Sequence, residues 1–276
     1  MRLHRDIVYN YYQETGSQFY VYSMDSYLPC ILTGFIFYTF GLKWCYEYAK
    51  YWVSLRPRDD PHTTKGLRLI EKCERLIHRH PIEGSLKLIA TAVGLAGTIT
   101  GGLQQVGTVS PKVVLATIYL FFAFSGLVDV LNFYFPHNVS EGLVKLALAQ
   151  SFFIEGFLFL WGSVGSNALV DKILALIVWT TSLSISLELV WPELKLLRGC
   201  TTLLHGGWIA HVVRVYHTVP MLPEGIALVF SWHVAAASAV TLCVVAATRS
   251  CAPKLMIEEP PEIPIYDYCQ EPDQRM

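Results

Sequence analysis

Seven long apolar runs follow one another along the chain, separated by shorter polar stretches. They lie at about residues 27–46, 85–103, 113–135, 143–162, 169–191, 196–216 and 226–248. A helix needs about 20 mostly apolar residues to cross the hydrocarbon core of a membrane, and each run approaches that length. The pattern predicts an all-α polytopic membrane protein, a seven-transmembrane-helix bundle. The sixth run gives the weakest signal because it contains His205, His211 and Arg214.

The composition favours a membrane protein over a soluble domain. Of the 276 residues, 53% are hydrophobic and 16% are charged, whereas soluble domains carry about 25% charged residues. The net charge of -1 provides no basic excess to neutralise phosphates, which argues against nucleic acid as a partner. The expected partners are the lipid bilayer and other membrane proteins. The seven cysteines form neither a C-x-x-C pair nor a disulfide framework.

The distribution of basic residues predicts the orientation. Residues 47–81, between the first two runs, contain eight Lys or Arg, and such loops face the cytoplasm by the positive-inside rule. The N-terminus is therefore predicted outside and the C-terminus in the cytoplasm, in an endomembrane or the plasma membrane. The predicted division is an extracytoplasmic segment (1–26), the transmembrane domain (27–248) with a basic loop at about 47–84, and a disordered cytoplasmic tail (249–276).

Two smaller features lie in loops predicted to be cytoplasmic. Residues 65–78, KGLRLIEKCERLIH, predict either an amphipathic helix on the inner membrane surface or a solvated loop helix. The sequon at Asn138 falls in a short cytoplasmic loop and is interpreted as unused.

Three acidic residues lie near the inner ends of the predicted spans. Glu83 opens the second, and Asp129 and Glu188 lie near the ends of the third and fifth. They form either an inner-leaflet polar layer or a set of helix-end groups that reach the lipid headgroups. The candidate basic partners for the layer are Arg198, Lys145, His78 and His80.

A second polar set lies deeper, on the outer side of the membrane midplane. Glu155 lies beyond the middle of the fourth run, and His205, His211 and His233 lie at similar depths in the sixth and seventh. A charge at this depth costs on the order of 3 kcal/mol unless it is paired. The four residues therefore predict an intramembrane polar cluster that binds protons, or separate polar clamps worth roughly 0.6 kcal/mol apiece.

Known catalytic patterns are missing from the sequence. It contains no G-x-S-x-G, G-x-x-x-x-G-K-[ST] or G-x-G-x-x-G motif. His205 and His211 are six residues apart and do not share a helical face, which argues against a metal site. The third run ends in DVLNFYF, which does not fit a G-protein-coupled receptor. No catalytic residue, cofactor or metal ligand is predicted.

Five segments carry a resemblance to a known family. They are TGFIFYTFGLKWC (33–45), YLFFAFSGLVDVL (119–131), FFIEGFLF (152–159), LLHGGW (203–208) and FSWHVA (230–235). Together they resemble the transmembrane protein 45 family, which includes the transmembrane epididymal proteins. The likeness covers about residues 30–248 and all seven runs in order. It implies a multi-pass membrane protein with no established biochemical activity.

The resemblance also implies which polar positions belong to the family pattern. Glu83, Asp129, Glu155, Glu188 and His233 coincide with polar positions of that pattern. Typical members carry further histidines at the outer helix ends, where this chain has other residues. The corresponding positions are Cys30, Val114 with Leu115, Gly162 with Val164, and Asp171.

The missing histidines bear on activity. In the family they would form one cluster suited to a metal or to protons. If relatives use that cluster, the resemblance implies that this chain has lost the activity. His205, where the family tends to have glutamine, and His211 are the residues that would compensate.

The sequence thus predicts a multi-pass integral membrane protein that is not an enzyme and acts through membrane partner interactions or trafficking. The alternative hypothesis is a proton- or cation-linked transporter or channel that uses Glu155 and His233. Glu155 is expected to face the sixth or seventh helix as a hydrogen-bond partner.

Overall fold

The computed structural model describes residues 27–54, 81–100, 111–162, 168–215 and 222–251. Within these residues the fold is all-helical, and no strand occurs among them, which confirms the predicted fold class. The N-terminal segment, the segment 65–78 with His78, His80 beyond it and the C-terminal tail lie outside the described residues.

The described residues form seven α-helices. They are α1 (Tyr27–Ser54), α2 (Ile82–Thr100), α3 (Pro111–Tyr134), α4 (Glu141–Gly162), α5 (Ala168–Leu187), α6 (Lys195–Val215) and α7 (Pro223–Cys251). A short 3₁₀ helix, Pro192–Leu194, connects α5 to α6.

Two helix ends differ from the predicted runs. The first helix continues to Ser54, beyond the apolar run that ends at residue 46, so residues 47–54 of the predicted loop are helical. The fifth helix ends at Leu187 rather than at 191, because a turn and then Pro192 follow it. Proline has no N–H with which to continue the helix.

Helices α2, α3, α4, α5, α6 and α1 pack successively side by side, and α7 packs against α1 and α6. The most extensive contact joins α1 and α6, whereas α1 and α2 touch little. Because α6 contacts α1, α5 and α7, its side chains line three helix seams.

Five helices, α2, α3, α4, α5 and α7, are long and apolar enough to cross a membrane. The described residues therefore form a helical membrane bundle. The other two helices are more polar, since α1 carries Lys43 and Glu47, and α6 carries Lys195, Arg198 and His205. Their polar side chains point largely at neighbouring helices, and Arg198 and His205 are both buried.

Glycines bring α1 and α6 into backbone contact. A Cβ atom added at Gly34 would lie 2.7 Å from the carbonyl oxygen of Gly206, and one at Gly41 would lie 3.0 Å from that of Gly199. Both glycine pairs are spaced by seven residues, so they recur on the same face of each helix. Small residues of this kind allow close helix packing where lipid provides no hydrophobic driving force.

The glycines of α2 differ in their surroundings. Gly94 faces the ring of Tyr119 on α3, whereas a Cβ atom at Gly97 would meet nothing within 4 Å. Gly101 and Gly102 lie outside the described residues.

Candidate functional site

A carboxylate and an imidazole meet in the centre of the bundle. His205 Nε2 on α6 lies 3.3 Å from Glu155 Oε1 on α4. His205 is fully buried and Glu155 is 3% exposed. The structure therefore places Glu155 against α6, and the pair forms an ion pair when His205 carries a proton.

Aromatic rings surround this pair. The ring of Phe37 from α1 lies 4.2 Å from the His205 ring, centroid to centroid. Phe152 from α4 meets the His205 ring edge-on at 5.8 Å, and Phe122 from α3 packs against both phenylalanines. Because these rings offer no hydrogen-bond acceptor of ordinary strength, Glu155 and His205 are each other's main polar partner at this depth.

Several polar atoms of the pair are not satisfied by the described residues. Glu155 Oε2, His205 Nδ1 and His205 Nε2 are buried without a hydrogen-bond partner there, because the 3.3 Å approach lacks hydrogen-bond geometry. Unsatisfied buried groups carry a desolvation cost of about 1–3 kcal/mol each.

The other two histidines of the predicted cluster form a separate pair. The rings of His211 on α6 and His233 on α7 lie 4.9 Å apart. The buried Trp208 contacts both rings, at 6.3 Å and 5.4 Å. Glu155, His205, His211 and His233 are thus divided between two pairs, and Trp208 contacts the second of them.

Glu83 and Asp129 lie in a network of ion pairs at one end of the bundle, where α1 and α3 end and α2 and α6 begin. Lys87 contacts Glu83 at 3.1 Å and Asp129 at 2.6 Å. Lys43 on α1 pairs with Glu83 and links it to the rest of the network. In the same network, Lys43 contacts Glu47 at 3.1 Å, and Lys195 contacts Glu47 at 2.9 Å.

Glu188 lies in a second network at the same end of the bundle. It contacts Arg198 on α6 at 2.9 Å and Lys145 on α4 at 3.2 Å. The Arg198 guanidinium also stacks over the Trp44 ring on α1, 4.3 Å from its centroid. Side chains of Glu188 and Arg198 are 5% and 7% exposed, so this contact joins helices within the protein.

Buried hydroxyl residues lie along the chain between the second network and the central pair. Ser184, Thr181 and Thr202 are at most 1% exposed. Each donates its hydroxyl proton to a backbone carbonyl of its own helix, at Thr181, Ile177 and Arg198 respectively.

Arg198 and Lys145 were among the partners named from the sequence, whereas Lys43 and Lys195 were not. Hydroxyl residues are common in membrane helices, where they bond to the carbonyl four residues earlier, as Thr202 does to Arg198. The spacing of Arg198, Thr202 and His205 indicates that they share one face of α6, because they lie four and then three residues apart.

A metal or cofactor would need a larger set of ligands than this site provides. Among the described residues, no group of three or more His, Cys, Asp or Glu side chains is placed to hold a metal ion.

The fold and these pairs define the class of protein as a helical membrane bundle with a buried carboxylate–imidazole pair. No protein-family model matches the chain.

Proposed function

We propose that this protein crosses the bilayer seven times and acts without catalysis, by pairing with a partner inside an endomembrane or the plasma membrane. The proposed orientation has the N-terminus outside and the C-terminus in the cytoplasm. The observation that carries the proposal is the exposed surface of α7. The resemblance of five segments to the transmembrane protein 45 family supports the membrane location.

The exposed side of α7 carries a row of small residues. Ser231, Ala235, Ala239, Cys243 and Ala247 recur every four residues, and all are exposed. Only 11% of the apolar span of α7 is buried in the bundle. Small residues at this spacing let a second membrane helix approach closely, so this row, which we call the α7 face, is suited to helix pairing.

The partner that fits the α7 face best is a second copy of the same chain. A row of small side chains is complementary to itself because neither side presents bulk to the other. A two-fold dimer would bring each residue of the row against the same face of the other copy. The seam between α1 and α6 shows that this bundle already packs helices through small residues.

Cys243 provides a test because it lies within the row. The test uses full-length protein in vesicles, in which the other six cysteines are replaced by alanine. Under mild oxidation we expect this variant to form a disulfide-linked dimer through Cys243. A matched control removes Cys243 and introduces Leu183→Cys on the exposed side of α5. That variant should stay monomeric, and Ala239→Trp should abolish the Cys243 crosslink. Equal crosslinking from both positions would contradict the proposal.

A second candidate function is proton-linked transport. It is favoured by the buried, incompletely satisfied polar atoms of Glu155 and His205. In this candidate function the partner of Glu155 is His205 rather than His233, because His233 contacts His211 and Trp208. Ionisable side chains inside membrane bundles often mark proton or ion pathways.

Vesicles loaded with a pH-sensitive dye would test the second candidate. We expect an imposed potential to drive a proton flux that Glu155→Gln abolishes, whereas Glu224→Gln at the start of α7 leaves it unchanged. Absence of flux in the unmodified protein, or an undiminished flux after Glu155→Gln, would exclude this function and leave the partner-binding proposal standing.

A further inference from the structure

We propose that the network of Lys145, Glu188 and Arg198 binds the phosphate group of an anionic phospholipid, and that Lys145 is the side chain that contacts it. This inference rests on the proposed crossing of the bilayer and adds a lipid ligand at one end of the bundle. The class of ligand follows from a charge imbalance, from the exposure of Lys145 and from the apolar surface beside it.

The two ion-pair networks differ in their charge balance. The second network contains two basic side chains, Lys145 and Arg198, around the one carboxylate of Glu188. It therefore carries one positive charge in excess. The first network is balanced, because its three basic and three acidic side chains are Lys43, Lys87 and Lys195 with Glu47, Glu83 and Asp129.

The contact between Arg198 and Glu188 does not fully satisfy either group. Arg198 Nε and Glu188 Oε2 are buried without a hydrogen-bond partner among the described residues, although Arg198 Nη1 lies 2.9 Å from that oxygen. A charge that is not compensated is costly in a bilayer. An anion beside the network would reduce this cost, because it would neutralise the excess charge.

Lys145 is the member of the network that a ligand outside the bundle can reach. Its side chain is 27% exposed, compared with 7% for Arg198 and 5% for Glu188. Its ammonium group has three N–H donors, so the contact with Glu188 at 3.2 Å leaves donors for a second acceptor. Glu141, one turn earlier on α4, is exposed, and water and salt therefore screen its charge.

The apolar surface beside Lys145 fits the rest of a phospholipid. Four exposed apolar side chains follow one face of α4, and they are Leu143, Leu146, Phe153 and Phe157. Trp191, three residues after Glu188, is also exposed, and tryptophan is enriched at the level of the lipid headgroups. A phosphate at Lys145 would thus leave the acyl chains along α4. Basic sites between membrane helices bind anionic headgroups in this way.

Lipid retention, measured by native mass spectrometry, tests the site with full-length protein. The protein is released from vesicles with equal amounts of phosphatidylglycerol and phosphatidylcholine, and the ratio of the retained lipids is compared between variants. Lys145→Gln balances the network and should lower the preference for phosphatidylglycerol about fivefold, the effect of one basic side chain near an anionic surface. Glu188→Gln leaves two basic side chains unopposed and should raise the preference.

Lys172→Gln is the matched control. Lys172 is an exposed lysine at the start of α5, whereas Glu188 follows the end of that helix, so the two lie at opposite ends of the bundle. Both leaflets of the vesicles contain the anionic lipid, and we expect Lys172→Gln to keep the full preference. Each variant is first shown to retain the unfolding midpoint of the unmodified protein in detergent.

Three results would overturn the inference. An unchanged preference in Lys145→Gln would exclude the site. An equal loss in Lys145→Gln and Lys172→Gln would show that basic surface charge in general attracts the lipid. Displacement of the retained lipid by inorganic phosphate would identify a site for free phosphate instead. The Cys243 crosslink does not depend on any of these results, so the lipid site can fail while the proposed function stands, and the reverse.

Discussion

Gly34 of α1 and Gly206 of α6 face each other so closely that neither has room for a side chain. A Cβ atom at Gly34 would lie 2.7 Å from the Gly206 carbonyl oxygen, and the Cβ atom of Ala210 would lie only 3.0 Å away. Because the nearest atom belongs to the backbone of a helix, a local side-chain adjustment cannot relieve the clash. The seam between α1 and α6 therefore depends on glycine at this point.

Gly34→Ala should destabilise the bundle, because α1 must move away from α6 to admit one methyl group. The expected loss is roughly 1–3 kcal/mol, the usual cost of overpacking. Gly97→Ala is the matched control, since a Cβ atom there meets nothing within 4 Å. Unfolding midpoints in mixed detergent micelles would measure both. Similar midpoints for the two variants would show that the seam tolerates a side chain.

The buried ion pair of Glu188 and Arg198 predicts a difference in stability between two variants that each lose one basic side chain. Arg198→Met leaves the Glu188 carboxylate, whose side chain is 5% exposed, with only Lys145 as a partner. Breaking a buried pair from one side costs about 3–5 kcal/mol. Lys195→Met, which removes a basic side chain that is 29% exposed, should cost less than about 1 kcal/mol.

A double variant distinguishes two causes of the lost stability, an unpaired Glu188 carboxylate and the loss of packing by Arg198. Glu188→Gln should restore much of the stability that Arg198→Met removes, because no carboxylate then remains unpaired. Arg198 also stacks on Trp44, and that contribution would not return. If Glu188→Gln adds to the loss instead, the stacking contact dominates at this position.

The sequence predicted the helices better than the contacts between them. Each apolar run became a helix because hydrophobic length is a local property. Arg198 and Lys145, which contact Glu188, were among the candidates named from the sequence. The contact of Glu83 with Lys43 depends on which helices are neighbours, and a single chain carries no direct record of that. The cluster of Glu155 with His233 failed to form for the same reason. Glu155 contacts His205 and His233 contacts His211, because similar depth does not decide which surfaces face each other.

Glycine spacing is a further sequence signal for packing. Gly34 and Gly41 are seven residues apart, as are Gly199 and Gly206, so each pair recurs on one face of its helix and allows close approach there. A glycine alone does not mark a contact, since a Cβ atom at Gly97 would meet nothing within 4 Å.

The proposed orientation makes a prediction about the native sequon. Asn138 lies in an exposed turn between α3 and α4, at the same end of the bundle as the ion-pair networks, the end proposed to be cytoplasmic. We expect no glycan at Asn138 in cells, because glycan transfer occurs on the opposite side of the membrane. A sequon introduced among residues 1–26 should be glycosylated, as measured by a mobility shift that a glycosidase reverses. The reverse pattern would invert the proposed topology.

The energetic coupling between Glu155 and His205 can be measured by a double-mutant cycle. Glu155→Gln and His205→Gln should each destabilise the bundle, and the double variant should lose less than the sum, since either change alone leaves a buried polar partner unmatched. We expect a coupling energy of about 1 kcal/mol, above the average of roughly 0.6 kcal/mol for polar contacts in membranes, because both side chains are almost fully buried.

The matched cycle pairs Glu155→Gln with His233→Gln. His233 contacts His211 and Trp208, so its coupling to Glu155 should be close to zero. Unfolding free energies in mixed micelles would provide both values. Equal coupling in the two cycles would mean that Glu155, His205 and His233 respond as one cluster. That result would favour the arrangement predicted from the sequence over two separate pairs.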